Sequence, residues 1–284
     1  MKELKEYINV SISLREEYYD NVFAMLMDFD IMGVEEKLDE IVISYTKELW
    51  NEQEKQRLLD TIRLFDTSAE IISEEHLVDK NWEEEWKKHI EAVSISDRVG
   101  IAPECKLTDL DNEIKIIINP KMSFGTGQHE STRLVCRLME KYVKPGTKWL
   151  DAGTGSGVLA VLAAKLGTSH VLAFDNNEWS IENASENFIL NGVQSQVKLE
   201  KLDLDEDILL PDADGITANL FFKMIMSSYP IFFKSLKEKK GILIISGIMK
   251  YNEEETVDKA LETGFELIEI IYENEWLGAA FRVK

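Results

Sequence analysis

The chain has 284 residues, enough for two domains with a sizeable core. Apolar residues make up 44% and aromatic residues 9%, which excludes a disordered or fibrous chain. With 53 acids against 32 bases the net charge is −21, which disfavours direct nucleic-acid binding and suits a basic protein partner.

Tyr7 to Leu14 alternates like a strand. Glu16 to Phe29 reads as a helix, with Tyr19, Val22, Phe23, Leu26 and Met27 on one face. Gly33-Val34 starts a short strand and Glu40 to Tyr45 a clearer one. Glu52 to Phe65 is helical, with Leu58, Leu59, Ile62 and Phe65 facing inward, and Glu70 to Ser73 is a last strand. The order β-α-β-β-α-β over residues 1–75 predicts a small ferredoxin-like α+β domain. Residues 76–95 form a charged connector whose helix, over 81–90, carries Trp82 and Trp86.

Residues 96–284 read as the second domain. Glu113 to Asn119 is a strand, followed by a glycine loop, Met122 to His129, and a helix from Glu130 to Tyr142. Strands at 148–151, 170–175, 196–200, 214–218 and 240–246 alternate with helices at 157–166, 177–190, 221–236 and 252–263. Such alternation predicts an α/β fold with a doubly wound, mostly parallel sheet. Phe265 to Tyr272 and Trp276 to Val283 break the rhythm and predict a terminal antiparallel hairpin.

The most informative segment is Asp151-Ala-Gly-Thr-Gly-Ser-Gly157, with Asp175 following 24 residues after Asp151. A strand, a glycine turn and a helix make a nucleotide-binding corner, where the backbone approaches a ligand closely and the helix start offers free amides. Asp175 ends the next strand, where an acid accepts hydrogen bonds from ribose hydroxyls. The dinucleotide fingerprint requires G-x-G-x-x-G, and its last position here is Val158. That favours S-adenosylmethionine over a nicotinamide cofactor.

Asn219, in Asp214-Gly-Ile-Thr-Ala-Asn219-Leu-Phe-Phe222, falls at the tip of a sheet strand. There a side-chain amide accepts a hydrogen bond from an amine and aims its lone pair at a methyl group. The plainer reading makes Asn219 a helix N-cap. Phe221 and Phe222 suit the wall of a lysine channel, although Phe222 also falls on a buried helix stripe with Ile225, Met226, Tyr229 and Phe233. The loop Phe124-Gly-Thr-Gly-Gln-His-Glu-Ser-Thr132 again presents amides before a helix, and as an ordinary turn it would be capped by Ser131 or Thr132. Cys105 and Cys136 give neither a disulfide framework nor a metal-ligand spacing, and no signal segment or membrane-length apolar run is seen. A cytoplasmic monomer without a metal site is expected.

Together Phe124-Gly-Thr-Gly-x-His129, Asp151-x-Gly-x-Gly-Ser-Gly157, Asp175, Ala218-Asn219-Leu220, Leu243-x-x-Ser-Gly-Ile248 and Glu275-Trp276 resemble PrmA, a family of bacterial methyltransferases that modify large-subunit ribosomal protein number eleven. The resemblance implies a class I S-adenosylmethionine methyltransferase domain, an N-terminal substrate-recognition domain, and methylation of lysine ε-amines and an N-terminal α-amine. It puts cofactor contacts on Thr132, Gly153, Asp175 and Asn219. Gly155 and the loop residues Phe124, Gly125 and Thr126 are expected beside them, with Asn219 as the catalytic residue. Leu220-Phe221 is bulkier than the family's usual Ile-Leu. A related branch that methylates flavoproteins, and a cofactor-dependent assembly factor without turnover, are the alternatives.

Overall fold

A computed structural model describes residues 6–26, 29–78, 91–119, 121, 123–206 and 208–284. The expected connector helix with Trp82 and Trp86, together with Met27 and Met122, lies outside the described residues. The chain divides into two compact units, Met1–Glu85 and Trp86–Lys284.

In the first unit, β1 (Glu6–Ser13), β2 (Gly33–Lys37), β3 (Glu40–Thr46) and β4 (Ile71–Val78) form an antiparallel sheet in the order β2-β3-β1-β4. This is the split β-α-β arrangement that the element order predicts. The helix expected over Glu16–Phe29 is a 3-10 turn, Glu16–Tyr18, followed by α1, Tyr19–Leu26. In α2 (Glu52–Ile62) the first turn is capped by Asn51, whose side chain accepts from the amides of Gln53 and Glu54. Alternate residues of β1 and β3, including Ile8, Val10, Ile12, Ile41 and Ile43, pack with Val22, Leu58 and Ile62 of the helices.

The second unit opens with β5 (Val93–Ser94), β6 (Val99–Ala102) and β7 (Ile114–Ile117), a small mixed sheet. Both ends of the expected 76–95 connector therefore carry strand, since β4 runs to Val78 and β5 begins at Val93. Then come α3 (Glu130–Tyr142), β8 (Lys148–Ala152), α4 (Val158–Lys165), β9 (His170–Asp175), α5 (Glu178–Leu190) and β10 (Val197–Lys201). They are followed by β11 (Gly215–Asn219), α6 (Phe222–Leu236), β12 (Ile242–Met249), α7 (Glu253–Thr263), β13 (Phe265–Glu273) and β14 (Trp276–Val283).

The seven-stranded sheet has the order β10-β9-β8-β11-β12-β14-β13. Its first five strands are parallel, and β14 inserts antiparallel between β12 and β13. Both faces are covered, so these strands read as apolar runs rather than as polar alternation. Trp149, Val171 and Ile244 pack with Val135, Leu159 and Phe188 of α3, α4 and α5. Their neighbours Leu150, Leu172 and Ile245 pack on the other side with Ile225, Tyr229 and Ala260 of α6 and α7. The chain direction across the sheet reverses between β8 and β11, and a crevice opens there at the strand ends. Among the described residues no helix is long and apolar enough to cross a membrane.

Candidate active site

The floor of the crevice is the glycine turn between β8 and α4. The amides of Gly153 and Thr154 both donate to the Phe174 carbonyl, at 2.9 Å. Gly155 has φ +55°, and a Cβ there would sit 2.6 Å from the Phe124 carbonyl oxygen, so only glycine lets turn and loop approach this closely. Its amide donates to Asp175 Oδ2 at 2.9 Å, while Asp175 Oδ1 accepts from the Asn177 amide at 2.9 Å. The carboxylate is thereby fixed at the tip of β9, and it lines the crevice.

Asp151, beneath the turn, is buried. Its Oδ2 accepts from Thr154 Oγ1 (2.6 Å) and the Ala160 amide (3.2 Å), and its Oδ1 from Thr217 Oγ1 (2.8 Å). Burial raises its pKa to about 6 against the pull of these donors. Asp151 thus ties the turn to α4 and β11.

One wall comes from the loop before α3. Phe124 O accepts from the Ser156 amide (2.8 Å) and Gly125 O from Ser156 Oγ (2.7 Å). The N-cap of α3 is His129 rather than Ser131 or Thr132, and its Nδ1 accepts from the Ser131 amide at 3.2 Å. The His129 ring lies edge-on between Phe124 (centroids 5.2 Å apart) and Trp276 (4.6 Å).

Asn219 ends β11. Its Nδ2 donates to Thr132 Oγ1 at 3.3 Å, while its Oδ1 is buried without a hydrogen-bond partner. The N-cap of α6 is Phe221 rather than Asn219. Asn219 is thus free of capping, and the residue lines the crevice. Beside it Ser246 O accepts from the Leu220 amide at 3.2 Å, continuing the β11–β12 ladder, while β12 shifts register against β14 between Ile245 and Ile248. Gly247, at φ +85°, borders the crevice at this break.

The crevice encloses about 380 Å³, within the usual range of small-molecule sites. Phe124, Gly125 and Thr132 line it from the loop and α3, and Gly153, Gly155, Asp175 and Asn219 from the strand ends. Thr126 is not among the lining residues. Phe221 stands at the crevice 85% exposed, whereas Phe222 packs against the core, as its helix stripe suggested. Asp203, between Leu202 and Leu204, also lines the crevice and was not anticipated. It follows β10, the parallel strand beside β9, so the strand-tip rule that singled out Asp175 applies to it as well. Asn176 Nδ2 and the Asp205 amide donate to its carboxylate (3.1 and 3.0 Å), and these bonds hold its pKa below the ordinary value, the Asp205 amide foremost.

An acid at each of two adjacent strand tips, a glycine floor and an unsatisfied amide oxygen fit a nucleoside-bearing cofactor next to an amine. Fold and site together define a class I S-adenosylmethionine-dependent methyltransferase. Residues 6–284 match the protein family described as ribosomal protein L11 methyltransferase (PrmA). A protein of that name from Chlorobaculum parvum is 33% identical, over 98% of this chain and 97% of its own length. Another from Acetivibrio thermocellus is 38% identical over 72% of this chain and 64% of its own. A crystal structure of a ribosomal protein L11 methylase from Lactobacillus delbrueckii subsp. bulgaricus superposes with a TM-score of 0.62 at 30% identity, covering 69% of this chain and all of that one. The chain belongs to the ribosomal protein L11 methyltransferase (PrmA) family.

Proposed function

We propose that the protein methylates lysine ε-amines and the N-terminal α-amine of large-subunit ribosomal protein L11. The observation that carries the amine chemistry is the buried, partnerless Oδ1 of Asn219 in the crevice. S-Adenosylmethionine, when bound, supplies an electrophilic methyl group on a sulfonium. Asp175 would hold the ribose hydroxyls, Gly153 and Gly155 would admit the cofactor to the backbone, and Thr132 with Phe124 and Gly125 would border it. Asn219 accepts a hydrogen bond from the incoming amine and so orients its lone pair.

The amine must be neutral to react. Deprotonating an ordinary lysine near neutral pH costs roughly 4 kcal/mol. Apolar lining residues, Phe124 and Leu220, strip water from the amine and disfavour its charged form. His129 Nδ1 is engaged by Ser131, so the released proton goes to solvent. Substrate recognition is assigned to residues 1–75, where the exposed acids Glu35, Glu36 and Glu75 on edge strands suit a basic protein.

The test is intact-mass analysis of purified L11 after incubation with enzyme and S-adenosylmethionine. Whole-methyl increments on lysines and the amino terminus are expected. Labelling of another protein in a cell extract with none on L11 would overturn the substrate assignment while leaving the chemistry.

A further inference from the structure

Helix α5 carries Asn183 and Asn187, with Asn191 at its C-cap, each four residues from the last. Asn183 and Asn187 are fully buried. This face meets the extended segment 117–119 that leads into the Phe124 loop. The Ile117 amide donates to Asn191 Oδ1 (2.9 Å), and Asn191 Nδ2 donates to the Ile117 carbonyl (2.6 Å). Two residues on, the Asn119 amide donates to Asn187 Oδ1 (2.8 Å), and Asn183 Nδ2 donates to the Asn119 carbonyl (3.1 Å).

The spacing has a geometric cause. Four helical residues rise about 6 Å and two extended residues about 6.6 Å, so amides four apart on a helix fall in step with alternate residues of a strand. The helix side chains stand in for a neighbouring strand and satisfy backbone groups that would otherwise be buried unpaired.

Asn187 does more than its neighbours, because its Nδ2 also donates to the Ser156 carbonyl at 2.8 Å. Ser156 in turn holds Phe124 and Gly125 through its amide and hydroxyl. One side chain therefore ties the entry of the loop to the glycine turn, and the turn holds the stretch of loop that walls the crevice. We propose that Asn187 is a positioning residue for cofactor binding: through Asn119 and Ser156 it fixes the Phe124–Gly125 wall before the cofactor arrives. This rests on the methyltransferase reading of the crevice.

The test is calorimetric titration of S-adenosylmethionine into the full chain, with steady-state kinetics. Asn187→Ala should weaken cofactor affinity about tenfold, with KM for the cofactor rising in proportion and kcat within about twofold of wild type. Asn191→Ala, one rung farther from the loop, should lower the melting temperature yet leave cofactor affinity within about twofold. If Asn187→Ala does not fold, Asn187→Asp decides, since it keeps the acceptor for the Asn119 amide, loses the donor to the Ser156 carbonyl and should also weaken binding. Wild-type affinity in Asn187→Ala, or in Asn187→Asp when the other does not fold, overturns the proposal. Equal losses in Asn187→Ala and Asn191→Ala, which mean general destabilisation, also overturn it. Absence of binding by the wild-type chain would instead sink the cofactor assignment itself.

Discussion

A buried acceptor without a donor costs about 1–3 kcal/mol, and Asn219 Oδ1 bears that cost in the crevice of this protein. In the proposed reaction an incoming amine would relieve it. Asn219→Ala should therefore lower kcat by roughly 100-fold while cofactor affinity changes by less than about threefold; full turnover would remove Asn219 from the chemistry. Asp175→Ala should behave oppositely, with calorimetric affinity for S-adenosylmethionine falling at least about tenfold. Asp151 makes a third prediction. Burial holds its folded pKa, about 6, above its unfolded value, so its contribution to stability is full below about pH 4 and is lost as pH rises through 6. Asp151→Asn lacks this titration. The stability of wild type relative to the variant should grow by about 2 kcal/mol between pH 6 and pH 4 in denaturant titrations, and a flat difference would refute the shift.

At the scale of elements, the closing hairpin is tied to α3. Glu273 bridges Arg133 and Arg137, at 2.6 Å each, and Asn274 Nδ2 donates to Glu130 at 2.8 Å. The same helix start carries His129, which touches Trp276. Glu273→Ala should destabilise the protein by about 1–2 kcal/mol, and because the Glu273 and Arg133 side chains are only 23% and 17% exposed the loss should shrink only modestly in high salt. Denaturant midpoints at two salt concentrations would show it. Long elements were legible because their hydrophobic periods are long: α3 is found over Glu130–Tyr142 as read, and β9 over His170–Asp175. The sheet of β5, β6 and β7 was largely missed, since strands of two to four residues such as Val93–Ser94 and Val99–Ala102 contain too little alternation to register. Within the site, Asp175 and Asn219 announced themselves as polar residues ending apolar strands. Asn187 did not, because asparagines at helical spacing look like a solvated face until the strand beside them is seen.

For the whole molecule, the charge of −21 predicts that capture of a basic protein slows steeply with added salt. KM for the protein substrate should rise severalfold between low and physiological ionic strength, while KM for S-adenosylmethionine stays nearly constant. A parallel rise in both would remove electrostatic steering from the account. The bend at Gly247 has a different consequence, for anyone wishing to redirect this enzyme. A side chain at 247 would run into the Leu220 carbonyl, and Leu220 adjoins Asn219, so variants randomised there should be inactive toward every acceptor. Phe221, projecting from the rim with open space around it, is where diversity is affordable, and libraries aimed at new amines belong at that position.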